Sequence, residues 1–188
     1  MITAPTDPAP RSFAQLSALI RAADGLSLAQ VCSLTGLEPS TVQNWIKRGF
    51  VPHPEHKRYG ERHVARILLI SSLRECLLIE RVGELMRYVN GNTDDTADDL
   101  ITEEALYDLF NAAVASVRDI YVPPELVGEK VAGIVSDMIP DRAAQERIIP
   151  AVTVMVGAYL ASRYKREADR LFTQTIQSSE ETMEVNNG

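Results

Sequence analysis

The stretch Pro39-Ser-Thr-Val-Gln-Asn-Trp-Ile-Lys-Arg48 decides the reading of this 188-residue chain. Val42, Trp45 and Ile46 recur at i, i+3 and i+4, the spacing that stacks side chains on one face of a helix. Ser40, Gln43, Asn44 and Lys47 recur at helical spacing on the opposite face, with Thr41 and Arg48 flanking them. The outward face therefore carries a hydroxyl, amides and cations, and no acidic residue falls between Pro39 and Arg48. Amides pair bidentately with adenine, and Lys or Arg with guanine or with phosphate oxygens. Pro39 suits the first turn of such a helix and Gly49 its end.

Working outward, Ser27 is a good helix N-cap, followed by Leu28, Val31 and Cys32 on one face, until Thr35-Gly36 breaks the helix. A short helix, a tight turn and a polar-faced helix make a helix-turn-helix. On the other side, residues 50–59 hold Pro52 and Pro54 and are not helical. This segment ends in Lys57-Arg58-Tyr59 and is expected to form a compact basic wing beside the helix. Lys57 and Arg58 would then lie along a phosphate backbone, with Tyr59 packing or bonding to a phosphate. Arg62 and Arg66, one turn apart on the next helix, either extend this positive strip or sit on a solvated face.

Helical periodicity continues through the rest of the chain, so the fold class expected is all-α. A first helix is expected over Ser12 to Ala23, a largely buried one from Glu61 to about Cys76, and another ending at Asn90-Gly91. Thr102-Glu-Glu104 starts a helix with Leu106, Leu109, Phe110, Ala113, Val114 and Val117 as its core face. Pro123-Pro124 opens the next, and Asp141 starts a last helical region reaching Ile176, bent or broken near Pro150. The division expected is a flexible tail over 1–10, a winged helix-turn-helix head over 11–91 and an acidic linker over 92–100. A helical dimerisation or effector domain over 101–177 and a flexible tail over 178–188 complete it.

Net charge is −7, which alone argues against nucleic acid. Its distribution argues the other way. Ser27 to Arg74 holds Lys47, Arg48, Lys57, Arg58, Arg62, Arg66 and Arg74 against Glu38, Glu55 and Glu61, a local balance of +4. A basic patch on an acidic body sets the local field that phosphates meet. The start of the chain, with three prolines by Pro10, has neither the basic start nor the apolar run of a signal peptide. The apolar run Ile148 to Ala161 is shorter than the roughly 20 residues a membrane span needs. Cys32 and Cys76 are expected as buried free thiols. A cytoplasmic location fits so few cysteines.

Leu28-Ala29, Val31, Thr35-Gly36, Ser40-Thr41, Trp45, Gly49, Val51-Pro52, Tyr59, Val64 and Arg66-Ile67 follow the order of the MerR-type winged-helix head, which this part of the chain resembles. The longer stretch through Asn90-Gly91 into Ile101-Thr-Glu-Glu-Ala-Leu-Tyr107 is similar to a bacterial family known only as a conserved domain of unknown function. The resemblance implies DNA binding through the second head helix and the wing, as a homodimer. The chain departs from the MerR pattern at Gln43 and Asn44, where Arg and Tyr are usual, and at Glu55-His56-Lys57, where the wing is usually longer.

Other chemistry finds less support. His53, His56 and His63 with the two cysteines match no zinc spacing, so no metal is expected. Nucleophile-elbow, phosphate-loop and zinc-protease motifs are absent, so neither an enzyme nor a cofactor is expected. Asp94, Asp95, Asp98 and Asp99 lack the order of a calcium loop and suit a solvated linker. In the second half, Ile148 to Leu160 is a candidate dimer seam. Met138, Met155, Tyr159 and Phe172 either line a small-molecule effector pocket or form core. The function expected is a sequence-specific transcriptional regulator that contacts double-stranded DNA through Ser40, Thr41, Gln43, Asn44, Lys47, Arg48, Lys57, Arg58 and Tyr59. The rivals are an architectural or recombination accessory protein and an interaction adaptor that no longer binds DNA.

Overall fold

Ser12 opens the first helix by accepting the Ala14 N–H at 3.3 Å, and the Phe13 N–H donates to Asp108, far along the chain, at 2.7 Å. The computed structural model describes residues 12–97, 99–117 and 122–186, and the side chains of 178–186 are not among those described. The expected N-terminal tail over 1–10 lies outside these residues.

The architecture is all-helical. Helix α1 is Phe13–Ala22, α2 Leu28–Thr35, α3 Pro39–Lys47, α4 Glu61–Leu73 and α5 Ile79–Asn90. Helices α6 Glu103–Val117, α7 Pro124–Met138 and α8 Arg142–Asn186 follow. Among the described residues there is no strand, only isolated antiparallel bridges at Leu26 with Tyr59 and Glu55 with Arg58. The segment expected as a compact wing folds back in one tight turn at Glu55 and Arg58 and pairs with the start of α2 through Tyr59. Pro52 and Pro54 lack the N–H groups that a ladder of any length would use.

Helix α4 is the hub. Val64, Ala65, Ile67, Leu69, Ile70 and Leu73 are all buried, and α4 packs against α1, α2, α5, α6 and α8. Each fully buried aliphatic side chain of this kind contributes about 1.5–3 kcal/mol. Leu73 is the last buried residue of α4, and the helix stops there rather than at Cys76. Cys76 is exposed and Cys32 half-buried, so the expectation of two buried thiols is corrected. The core runs without a break from Phe13 in α1 to Ala158 in α8.

Two expectations for the second half change. Ile148, Ala151, Val152, Met155 and Val156, expected at a dimer seam, are buried inside the chain, where α8 packs on α4, α5, α6 and α7. The last helix also continues unbroken through Pro150 and past Ile176 to Asn186. Pro150 costs that helix one N–H bond and some strain, while Ala151, Val152, Met155 and Val156 beyond it are locked into the core.

A hollow of about 560 Å³ opens where the end of α6, the start of α7 and the middle of α8 meet, lined by Val117, Val122, Val127, Gly157 and Leu160 among others. The four residues considered as pocket lining are elsewhere. Met155 is core, Met138 and Phe172 are exposed, and Tyr159 stands edge-on to Phe110 with centroids 6.1 Å apart.

Candidate nucleic-acid interface

Helix α2 begins with a reciprocal cap. Ser27 Oγ accepts the Gln30 N–H at 3.3 Å, and Gln30 Oε1 accepts the Ser27 N–H at 2.8 Å. Such a box satisfies two donors that the helix start leaves open. Gly36 then caps the other end in a left-handed conformation, and three residues, 36–38, separate α2 from α3.

Pro39 occupies the first turn of α3, and Val42, Trp45 and Ile46 are its buried face. That burial fixes which face looks outward. Ser40, Gln43, Asn44, Lys47 and Arg48 are exposed and Thr41 is half-exposed. All six residues read from the sequence on this helix are therefore brought together on one accessible surface, with no carboxylate on α3 itself.

The segment after α3 carries the second cationic group. Leu26 and Tyr59 exchange two backbone bonds of 2.9 and 2.8 Å, which tie it back to the start of α2. Its tip is a turn in which the Arg58 N–H donates to the Glu55 carbonyl at 2.7 Å. His56 and Lys57 both have positive φ, at 47° and 61°. Two left-handed central residues are the signature of a type I′ turn, which Asn-Gly fills most easily. A non-glycine residue pays roughly 1–2 kcal/mol for this conformation. Lys57 and Arg58 are exposed on this turn. Gly25 makes the close approach possible, because a Cβ there would lie 3.0 Å from the Cβ of Arg58.

Tyr59 is different. It is 4% exposed, with its ring edge-on to His63 at 6.0 Å, and burial pushes its hydroxyl pKa up. Of the two roles read for Tyr59, the structure gives it packing. Arg66 also departs from the positive strip. It is 2% exposed and pairs with the buried carboxylate of Glu103. Burial pushes the Glu103 carboxyl up, while the Arg66 charge beside it pulls the other way. Arg62 faces Asp99 at 3.8 Å and donates to the Asp95 carbonyl at 3.4 Å. The acidic stretch expected as a solvated linker is thus partly bound to α4, and its Thr93 is buried.

Two contacts made by neighbours of α3 have no counterpart in the sequence reading, which counts Arg74 only toward the basic patch. Arg74, just past α4, lies over the Trp45 ring at 5.7 Å, so it stands beside α3. Glu80, in the first turn of α5, meets Arg48 at 2.5 Å, and this bond holds its carboxyl below the usual range. Arg48 also lies over the Phe50 ring at 4.8 Å. Neither contact has a local signal, since each depends on how α4 and α5 turn back toward α3. His53 and His56 are exposed near the turn, and no group of three or more metal-ligating side chains occurs among the described residues. No helix among them is long and apolar enough to cross a membrane.

No solved structure matches the chain. An uncharacterized protein of Bacillus subtilis strain 168, YkrK, is 28% identical to it over 87 residues, 44% of this chain. The match spans 37% of that protein's length. A family model described as a domain of unknown function, DUF1836, matches residues 21–110, so the similarity takes in α2 to α5, the α3 surface and the Arg66–Glu103 pair.

Proposed function

We propose that this chain binds double-stranded DNA as a transcriptional regulator, with α3 as the recognition helix of a winged helix-turn-helix of the MerR type. The observation that carries the reading is the exposed face of α3, free of acid and backed by Val42, Trp45 and Ile46 in the core. Gln43, Asn44 and Lys47 read base edges in the major groove. Thr41 and Arg48 on the helix, and Lys57 and Arg58 on the turn, hold the phosphate backbone.

The active unit in this reading is a homodimer. Two copies set their α3 helices about 34 Å apart, one turn of DNA, and so read an inverted repeat. The seam lies on the outer part of α8, where Tyr164, Leu171, Phe172 and Ile176 are exposed. For a small-molecule effector, the hollow beside Gly157 is the space on offer.

The test is selection from a random duplex library with the full chain, followed by titrations at several salt concentrations. An inverted repeat should emerge. Lys57→Ala with Arg58→Ala should weaken binding to every duplex and lower the salt slope by about 0.9 for each phosphate no longer neutralised. Gln43→Ala should relax the choice at one base position, by about 1–3 kcal/mol. Sequence-blind binding would favour an architectural role, and absence of binding at low salt would end the reading.

A further inference from the structure

The Arg66 guanidinium reaches three segments at once. Its Nε donates to the Phe50 carbonyl at 2.6 Å, Nη1 donates to the Glu103 carboxylate, and Nη2 donates to the Thr93 hydroxyl at 3.1 Å. Phe50 is where the chain leaves the α3 turn. Its own N–H donates to the Trp45 carbonyl at 2.9 Å, and the Val51 N–H donates to the same carbonyl at 3.4 Å. The Phe50 peptide is therefore clamped between α3 on one side and Arg66 on the other.

Its ring is clamped as well. Gly83 of α5 faces it so closely that a Cβ there would lie 2.8 Å from the ring. Glu103, the first residue of α6, is 1% exposed. The exit of α3 is thus fixed by α4 and α5 directly, and by α6 through Arg66.

Stability alone is a weak reason for this arrangement. Burying two charges costs solvation, and an apolar pair of similar volume often does as well. An apolar pair cannot supply direction. The planar fork of an arginine aims donors at fixed angles, here at a backbone carbonyl and at a carboxylate on another helix.

We propose that Arg66 is a positioning residue for α3. Through the Phe50 carbonyl it holds the helix in register with the start of α6, and Glu103 holds Arg66. The role in recognition rests on the DNA-binding reading. The clamp itself does not.

The experiment compares the full chain with Arg66→Met/Glu103→Leu, which removes both charges together, and with Arg66→Lys. Readouts are hydrogen exchange at each backbone amide, thermal melting, and affinity for the selected duplex across salt concentrations. The double variant should keep its helical content and melt within a few degrees of the parent. Exchange at Phe50 and Val51 should rise about tenfold or more, as expected when one charge-assisted bond is removed, while α7 changes little. Affinity should fall by a similar factor with the salt slope unchanged, because every phosphate partner is still present. Arg66→Lys keeps the charge without the fork and should fall between. If the double variant does not fold, Glu103→Gln is read in the same three ways. Parental exchange at Phe50 and Val51, or a rise spread evenly over the chain, would overturn the proposal. A parent chain that binds no duplex would remove the recognition role, and the exchange pattern would still decide the clamp.

Discussion

His63 shows how one ring ties the turn segment to α4. Its Nδ1 accepts the Gly60 N–H at 3.2 Å, and its Nε2 lies 3.3 Å from the His53 carbonyl. Both contacts hold only for the neutral ring with its proton on Nε2. Burial lowers the His63 pKa, Arg62 lowers it further, and the His53 carbonyl and Glu55 oppose them. A base whose pKa is lowered on folding contributes stability that is complete above its unfolded value, about 6.5. That stability is lost as pH falls through the lower folded value. The parent should therefore lose melting temperature more steeply below about pH 6.5 than His63→Asn does. Parallel melting profiles would show that His63 stays neutral or is indifferent. A second outcome belongs to Glu80, whose carboxylate occupies Arg48 at 2.5 Å. Glu80→Gln should release that cation, raising DNA affinity a few-fold at low salt and less at high salt, where screening is stronger. Unchanged titrations would mean that Arg48 touches no phosphate.

At the scale of elements, much was legible because each helix declares itself locally. Ser27, Gly36 and Pro39 mark α2 and α3 to within a residue of their ends, and Val42, Trp45 and Ile46 fixed the buried face of α3. Arg62 and Arg66 were misread for a physical reason. Helical spacing says that two arginines share a face, but only packing says that Glu103 of α6, with Thr93, Asp95 and Asp99, covers that face. The same holds for Ile148 to Val156, where an apolar stripe fits an internal core and a seam between copies equally well. Helix α8 also carries a testable weakness. Gly157 lies inside it with nothing within 4 Å of where a Cβ would stand. Gly157→Ala should therefore stabilise the protein by about 0.5–1 kcal/mol. A rise in melting temperature of about 1–4 °C would agree, and a fall would mean that the hollow needs the missing side chain.

For the whole molecule, the outer part of α8 is the largest surface among the described residues left uncovered by the chain's own core. Tyr164 and Phe172 are 67% and 68% exposed there, beside exposed Leu171 and Ile176, and a run of exposed apolar side chains of this kind marks an interaction surface. In the dimer reading, Phe172→Arg should shift the sedimentation profile toward monomer and make DNA binding depend more steeply on protein concentration. An unchanged profile would put the contact between copies elsewhere. The same helix has a further consequence. At 45 residues and about 1.5 Å per residue, it is close to 68 Å long. A spherical chain of this size has a radius of gyration of only about 16 Å. Even alone, the protein must tumble as a rod-bearing body. Rotation about the axis of α8 is fast and end-over-end rotation slow, so nuclear relaxation rates should sort its amides by their angle to that axis.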